Sequence, residues 1–308
     1  MLSYSKIVQN AYIITIRNPL LWLFGVFVVG GFNLNFLHFQ DFSVKAKLGQ
    51  ISTVGVLFYF EQHPEVLLML SSIVLLVSFL SFLVTNWSRI MLVLITEELL
   101  QEKQKNLPAQ FKKSWKKMVE VIKMSLLTTG FMVLIAIGLF APPFFMAKGS
   151  DFQLPLFVMA AAIFLPLAFT VSCLNIFSIF FIILFDRKVP TALNLATDFF
   201  ISNWTQILGL VCILLVIYSV CFVGGIAVIY LVKVILLALW EILGKFGIFQ
   251  ISAIMRVSKT VSSLLLLVLV GGLNVFLNTT LLLLFLQLIT PVLSEEKVKK
   301  VAAYSAVS

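Results

Sequence analysis

The chain has 308 residues, of which 61% are hydrophobic and only 11% are charged, and its net charge is +9. Ordinary soluble domains carry about 25% charged residues, so this composition excludes a soluble globular protein. The hydrophobic stretches use up most of the length, and a soluble catalytic domain of roughly 100–150 residues has no room.

Six stretches contain no Asp, Glu, Lys or Arg: residues 18–40, 66–88, 124–147, 152–185, 199–232 and 260–294. A helix needs about 20 apolar residues to cross the hydrocarbon core of a bilayer, and each stretch is long enough. The pattern predicts an all-α, polytopic membrane helix bundle that forms one domain over residues 1–308. We expect about six transmembrane helices, near 18–40, 66–88, 124–147, 155–185, 205–232 and 262–290.

Four further segments are predicted to be amphipathic helices in the membrane interface: 3–17, 109–123, 189–204 and 233–256. The clearest is 109–123, where Phe111, Trp115, Met118 and Ile122 repeat at helical spacing. Lysines fill its other faces, and basic clusters beside a span attract anionic lipid. We therefore predict headgroup contacts for Lys112, Lys113, Lys116, Lys117, Lys123 and Trp115. The alternative is that these lysines only set the topology.

Glycines and prolines interrupt the longer apolar runs. Pro155 and Pro166 lie in the fourth run, and Gly224-Gly225 and Gly271-Gly272 lie in the fifth and sixth. Such residues end or kink helices, so we expect tilted, kinked spans that extend past the interface. Segment 233–256 is broken by Glu241 and Lys245 and is expected to lie on the outer surface instead of spanning.

The distribution of basic residues predicts the orientation. With the N-terminus inside, 15 of the Lys and Arg residues face the cytoplasm and 7 face outside. This bias favours cytoplasmic N- and C-termini by the positive-inside rule. Nucleic acid is not expected as a partner, because the basic residues lie in short loops and do not share one exposed face.

Two segments of the chain repeat a pattern. Ala11, Ile16, Asn18, Leu23 and Val26 match Ala196, Ile201, Asn203, Leu208 and Val211 at a constant offset. Both sets lie where a predicted interfacial helix runs into a span. The match suggests a repeated unit of helix followed by span.

The stretches around these matches, residues 11–19 and 187–204, also carry a resemblance. The layout resembles that of poorly characterised bacterial six-helix membrane proteins, a group that includes the membrane domain joined to some glycerophosphodiester phosphodiesterases. The resemblance implies a multi-pass protein of the bacterial inner membrane. The phosphodiesterase domain of such fusions uses a His-Arg dipeptide and a Glu-x-Asp pair, and this chain has neither.

Amides are the main polar residues inside the spans. Asn274 and Asn278 lie four residues apart, on one helix face after Gly271-Gly272, and Asn175 lies in the fourth run. Such residues either form interhelical hydrogen bonds or line a polar path for a solute or lipid headgroup. We expect Asn274 and Asn278 to point into the bundle and Gly271-Gly272 to permit either a close approach of helices or a bend.

Motifs of catalysis are absent from the sequence, and neither an enzyme nor a cofactor is predicted. No G-x-S-x-G and no P-loop is present, and Cys173, Cys212 and Cys221 are interpreted as small apolar residues. A zinc or manganese site formed by His38, His63, Asp41, Glu61 and Glu65 is an alternative to ordinary loop residues.

Taken together, these patterns predict a non-enzymatic membrane protein with a structural or accessory role. That role would be in envelope homeostasis, or as the membrane partner of another membrane or cytoplasmic protein. The alternative is a transporter or permease subunit for a small or lipidic solute.

Overall fold

Helices make up almost all of the described chain. The computed structural model describes residues 3–30, 62–101, 106–145, 152–244 and 251–289. Within these ranges the helices are α1 Tyr4–Arg17, α2 Leu20–Gly30, α3 Pro64–Leu100, α4 Leu107–Phe145, α5 Gln153–Phe185, α6 Val189–Gly244 and α7 Ile251–Ile289. No strand occurs in these ranges, which confirms the predicted all-α class.

The long helices have the length and apolar character of membrane spans. Five of the described helices meet this criterion, and α1 and α2 together supply a sixth if this bent pair forms one span. The chain is therefore a multi-pass membrane protein. In the N-terminal part of α3, residues 64–76 are exposed on every side among the described residues, as expected for a helix surrounded by lipid.

The residues group into two compact units. One comprises Met1–Ile14, Ile90–Cys212 and Asn278–Ser308, and the other comprises Thr15–Arg89 and Ile213–Leu277.

Each of the two matching segments contains a helix break at its corresponding asparagine, Asn18 or Asn203. Helix α1 ends at Arg17 and α2 begins at Leu20, so Asn18 lies between them. Helix α6 is kinked at Asn203, which has the non-helical angles φ −125° and ψ 19°. The Asn203 side chain donates to the carbonyl of Phe199 at 2.9 Å, and this local bond competes with the regular helix ladder.

The burial pattern supports the same correspondence. Ala11 and Ala196 are both fully buried, and the matching Ile16 and Ile201 are both exposed. A buried residue also precedes each alanine by one turn, Ile7 in α1 and Ala192 in α6.

Helix α4 has the same start without the break. Gln110 and Ser114, four residues apart, take the buried positions, and Val121 lies eleven residues after Gln110, where Asn203 follows Ala192. Val121 is fully buried and the helix continues to Phe145. Segment 109–123 is therefore not a separate helix in the membrane interface, as predicted, but the first part of the continuous helix α4.

The glycine pairs and segment 233–256 can also be compared with the expectations from the sequence. Helix α6 runs through Gly224-Gly225 and α7 runs through Gly271-Gly272, so neither pair interrupts its helix. Within segment 233–256, α6 continues to Gly244 and α7 begins at Ile251. Residues 245–250 lie outside the described residues.

Gly271 instead permits close packing of α2 and α7. A Cβ atom at Gly271 would lie 2.8 Å from the carbonyl oxygen of Trp22, and one at Gly25 would clash with the carbonyl oxygen of Gly271. Helices in membranes commonly approach through small residues in this way. The close approach expected from the sequence is present.

Aromatic side chains fill the core of the first unit. Phe285 on α7 is fully buried. Its ring centroid lies 5.0 Å from that of Phe181 and 5.4 Å from that of Phe180, both on α5, and 5.1 Å from that of Phe199 on α6. Such pairs add to the hydrophobic stabilisation of a dry core.

Candidate functional site

The first turns of α4 hold the basic cluster that the sequence singles out. Its packed face consists of small or polar residues and a few apolar ones: Gln110, Ser114, Lys117, Met118 and Val121. Phe111 and Trp115 lie on the exposed side and are 47% and 58% exposed. The apolar face is thus turned away from the protein, whereas Met118, expected on that face, is buried.

Lys117 departs from the prediction of a headgroup contact. Its side chain is only 8% exposed, and Nζ lies 2.9 Å from Oδ1 of Asp186. Nζ also donates to the carbonyl of Ile182 at 3.3 Å, one of the last carbonyls of α5. The last four carbonyls of a helix have no partner within it, so Lys117 caps α5 from a neighbouring helix.

Asp186 follows the last residue of α5 and has a left-handed backbone, φ 57°. The hydrogen bond from Lys117 lowers the pKa of its carboxyl group, burial opposes this shift, and the charges of Lys117, Lys113 and Lys116 lower the pKa further. Asp is among the few residues that adopt this conformation readily. Lys117 and Asp186 thus fix the connection between α5 and α6.

Two other lysines of the cluster are also paired. Lys113 lies 3.6 Å from Glu97 of α3, and Lys123 lies 2.8 Å from Glu120 on its own helix. Gln110 donates a hydrogen bond to Glu98, the neighbour of Glu97. The first turns of α4 therefore bind the last turn of α3 as well as that of α5.

Lys112, Lys116 and Trp115 remain on the open side of α4. Both lysines are exposed, and among the described residues neither has a carboxylate within 4.0 Å. They lie one helical turn apart on the same face. This pair is the part of the predicted cluster that is open to an anion.

The amides of the spans form a second set. Asn274 donates to the carbonyl of Val270 at 2.7 Å, within its own helix, and both Asn274 and Asn278 are half-buried. This bond lies within one helix, and the expectation that both side chains point into the bundle stays a prediction. Asn175 is also half-buried, on α5.

Asn86 on α3 belongs to this set, and sequence reasoning missed it. Asn86 and Asn278 each lie four residues before a run of buried side chains, residues 90–96 and 282–286, and Asn175 lies two residues before the buried run 177–183. Asn86 is only 2% exposed and donates to the carbonyl of Phe82 at 2.8 Å. An asparagine four residues before an unbroken apolar run was the sequence signal.

The predicted metal ligands lie mostly outside the described residues, which include neither His38, Asp41 nor Glu61. Nδ1 of His63 lies 3.2 Å from Oε1 of Glu65, and both side chains are exposed. Within the described part of the chain, no three His, Cys, Asp or Glu residues are grouped to hold a metal.

Comparisons with known proteins gave no match. No family model, no curated protein and no solved structure is significantly similar to this chain.

Proposed function

We propose that this multi-pass membrane protein has a non-enzymatic, structural or accessory role, in envelope homeostasis or as the membrane partner of another protein. The resemblance in layout to bacterial six-helix membrane proteins supports placing it in the bacterial inner membrane. The excess of basic residues on one side supports cytoplasmic N- and C-termini.

The observation that carries this proposal is how the polar side chains inside the spans are bonded. Asn86 and Asn274 donate to carbonyls one turn earlier in their own helices, at 2.8 and 2.7 Å. Thr128 and Thr170 do the same, at 3.0 and 2.9 Å. A polar group that donates to its own backbone is less costly in an apolar surrounding than one with no bond, and this bond does not require it to face water.

The filling of the first unit agrees with this interpretation. Its core contains the five packed rings of Phe177, Phe180, Phe181, Phe199 and Phe285. A transporter must open an aqueous or polar route at some stage of its cycle. Large interlocking aromatic rings favour a fixed scaffold over such a route.

The proposal can be tested by complementation of a gene deletion. The strain is assayed for survival of osmotic shock and detergent, and then complemented with wild-type protein or with N86L/N175L/N278L. We expect the variant to complement fully, because average amide contacts between membrane helices contribute only about 0.6 kcal/mol each. Failure to complement at a wild-type level of membrane-inserted protein would contradict the accessory role.

One observation favours a transporter as the second candidate. Oδ1 of Asn175, Oγ of Ser178 and Oγ1 of Thr279 are buried, and among the described residues they have no hydrogen-bond partner. Such atoms are costly in a dry core unless a water or solute reaches them. Labelling of S178C by a small water-soluble maleimide in intact membranes would support a path, and protection would support the scaffold.

The orientation has its own test. Single cysteines at positions 45 and 148 should react with an impermeant reagent from outside, and those at 113 and 300 only after the membrane is opened. External labelling at 113 would overturn the orientation.

A further inference from the structure

The five lysines of α4 divide into two classes by their partners. Lys113, Lys117 and Lys123 each have a carboxylate within 4.0 Å, at Glu97, Asp186 and Glu120. Lys112 and Lys116 have none among the described residues, and both are exposed. The charge that is free to attract an anion is therefore concentrated on one face, over one helical turn.

An apolar stripe runs beside these two lysines. Phe111, Trp115 and Val119 recur every four residues and are 47%, 58% and 58% exposed. The stripe continues on the same side of the helix into the charge-free run, where Leu126 and Val133 are 57% and 50% exposed. Because the exposed side of a span faces lipid, this continuity indicates that lipid also covers the stripe.

The position of Lys116 along α4 places it at the outer edge of the headgroup layer. Lys123 is the last charge before the charge-free run, and Lys116 lies seven residues before it, about 10 Å along the axis. The headgroup layer is about 5–8 Å thick on each side, so a helix along the membrane normal places the backbone of Lys116 about 2–5 Å beyond it, within reach of a lysine side chain. A lysine side chain extends to place its ammonium group at the polar boundary, and tryptophan favours the same depth.

We propose that the face formed by Phe111, Lys112, Trp115, Lys116 and Val119 binds an anionic phospholipid. The acyl chains lie along the stripe towards Leu126 and Val133. The phosphate contacts Lys116, and Lys112 adds to the attraction. This inference rests on the membrane location of the chain and not on the accessory role.

The test uses the full-length protein in detergent, titrated with phosphatidylglycerol or phosphatidylcholine and followed by native mass spectrometry. We expect K116Q to weaken phosphatidylglycerol binding roughly fivefold, as about 1 kcal/mol per lysine implies. Phosphatidylcholine binding should not change. K113Q removes the same charge from the same turns but from a lysine already paired with Glu97, so its effect should stay below about twofold.

Each other outcome overturns the proposal. Equal losses in K116Q and K113Q would show a response to net charge without a site. Equal binding of both lipids to the wild type would show that the face does not select an anionic headgroup. An acidic protein would then be the better candidate for its partner. Displacement of phosphatidylglycerol by inorganic phosphate at millimolar concentration would identify a phosphate site that does not need the lipid.

A W115A variant should weaken binding of both lipids, because it removes the apolar anchor and keeps the charge.

Discussion

Helices α4 and α6 begin alike and then differ at two matching positions. Each buries two residues four apart, Gln110 and Ser114 in α4 and Ala192 and Ala196 in α6. Seven residues after the first of them, α4 has Lys117 in an ion pair, whereas α6 has Phe199 in the aromatic core. Eleven residues after it, α4 has Val121 and continues, whereas α6 has Asn203 and kinks.

The comparison of α4 with α6 shows that the face by which a helix packs and the direction in which it continues depend on different residues. The buried residues of the first turns, Gln110 and Ser114 in α4 and Ala192 and Ala196 in α6, fix which face of each helix packs on the protein. A single later position marks the difference in direction, because Asn203 has non-helical backbone angles in α6 whereas α4 continues through Val121. Lys117 and Phe199 show that either an ion pair or an aromatic ring can hold the same position.

The substitution F199A is expected to cause the largest loss of folding stability. Phe199 is 5% exposed, and its ring lies 5.0 Å from that of Phe177 and 5.1 Å from that of Phe285. Removing it leaves a cavity, and we expect the free energy of unfolding in an SDS titration to fall by about 3–5 kcal/mol. I201A, two residues away at a site that is 65% exposed, should change it by well under 1 kcal/mol.

V121N places in α4 the residue that α6 has at this position. Val121 is fully buried, so the amide loses water without a prepared partner, and we expect a loss of about 3 kcal/mol. V119N makes the same exchange at a site that is 58% exposed and should be tolerated. If V121N were as stable as V119N, the burial of this face of α4 would be wrong.

The substitution D186N tests the ion pair between Lys117 and Asp186. It should lower the free energy of unfolding by about 1 kcal/mol, since the carboxylate is 88% exposed. Asparagine keeps the left-handed backbone and removes only the charge. Lys117 depresses the pKa of Asp186, so the stabilisation is present above the unfolded pKa of about 3.9 and is lost as the pH falls through the folded pKa.

Wild-type protein should therefore lose more stability than D186N when the pH is lowered below about 4. Parallel stability profiles of the two proteins between pH 7 and pH 3, measured by the same unfolding titration, would show that the pair contributes nothing.

The sequence predicts the spans well and the packing of α4 only in part. Charge-free runs identify the helices because a charged residue is costly in hydrocarbon, and Asn18-Pro19 marks a helix end through the restriction that proline imposes. The exposed Phe111 and Trp115 agree with their predicted orientation. Lys117 could not be distinguished from its neighbours, because its partner Asp186 comes from a distant part of the chain.

The amides illustrate the same limit. The four-residue spacing of Asn274 and Asn278 indicated a shared helix face. No such spacing marked Asn86, although Asn86 is more deeply buried. Burial in a membrane bundle depends on which face meets a neighbour, and a helix that is apolar all round gives no period from which to infer that face. The glycines at 224–225 and 271–272 likewise permit either a bend or a close approach, and only packing decides between them.

The most direct test of the account is a pair of matched distance measurements by double electron–electron resonance in liposomes. One protein has Cys173, Cys212 and Cys221 replaced by serine and carries spin labels at Ala109 and Gly130 of α4, where an added side chain at Gly130 meets no atom within 4 Å. The other carries them at Thr191 and the exposed native Cys212 of α6, with Cys173 and Cys221 replaced by serine. Both pairs span the same number of residues, and an unbroken helix separates them by about 32 Å.

We expect the α4 pair to give this distance and the α6 pair a shorter one, because of the kink at Asn203. In α6, N203V should move the distance towards that of α4. Identical distances for the two wild-type helices would contradict the claim that one asparagine sets the direction of an otherwise equivalent helix.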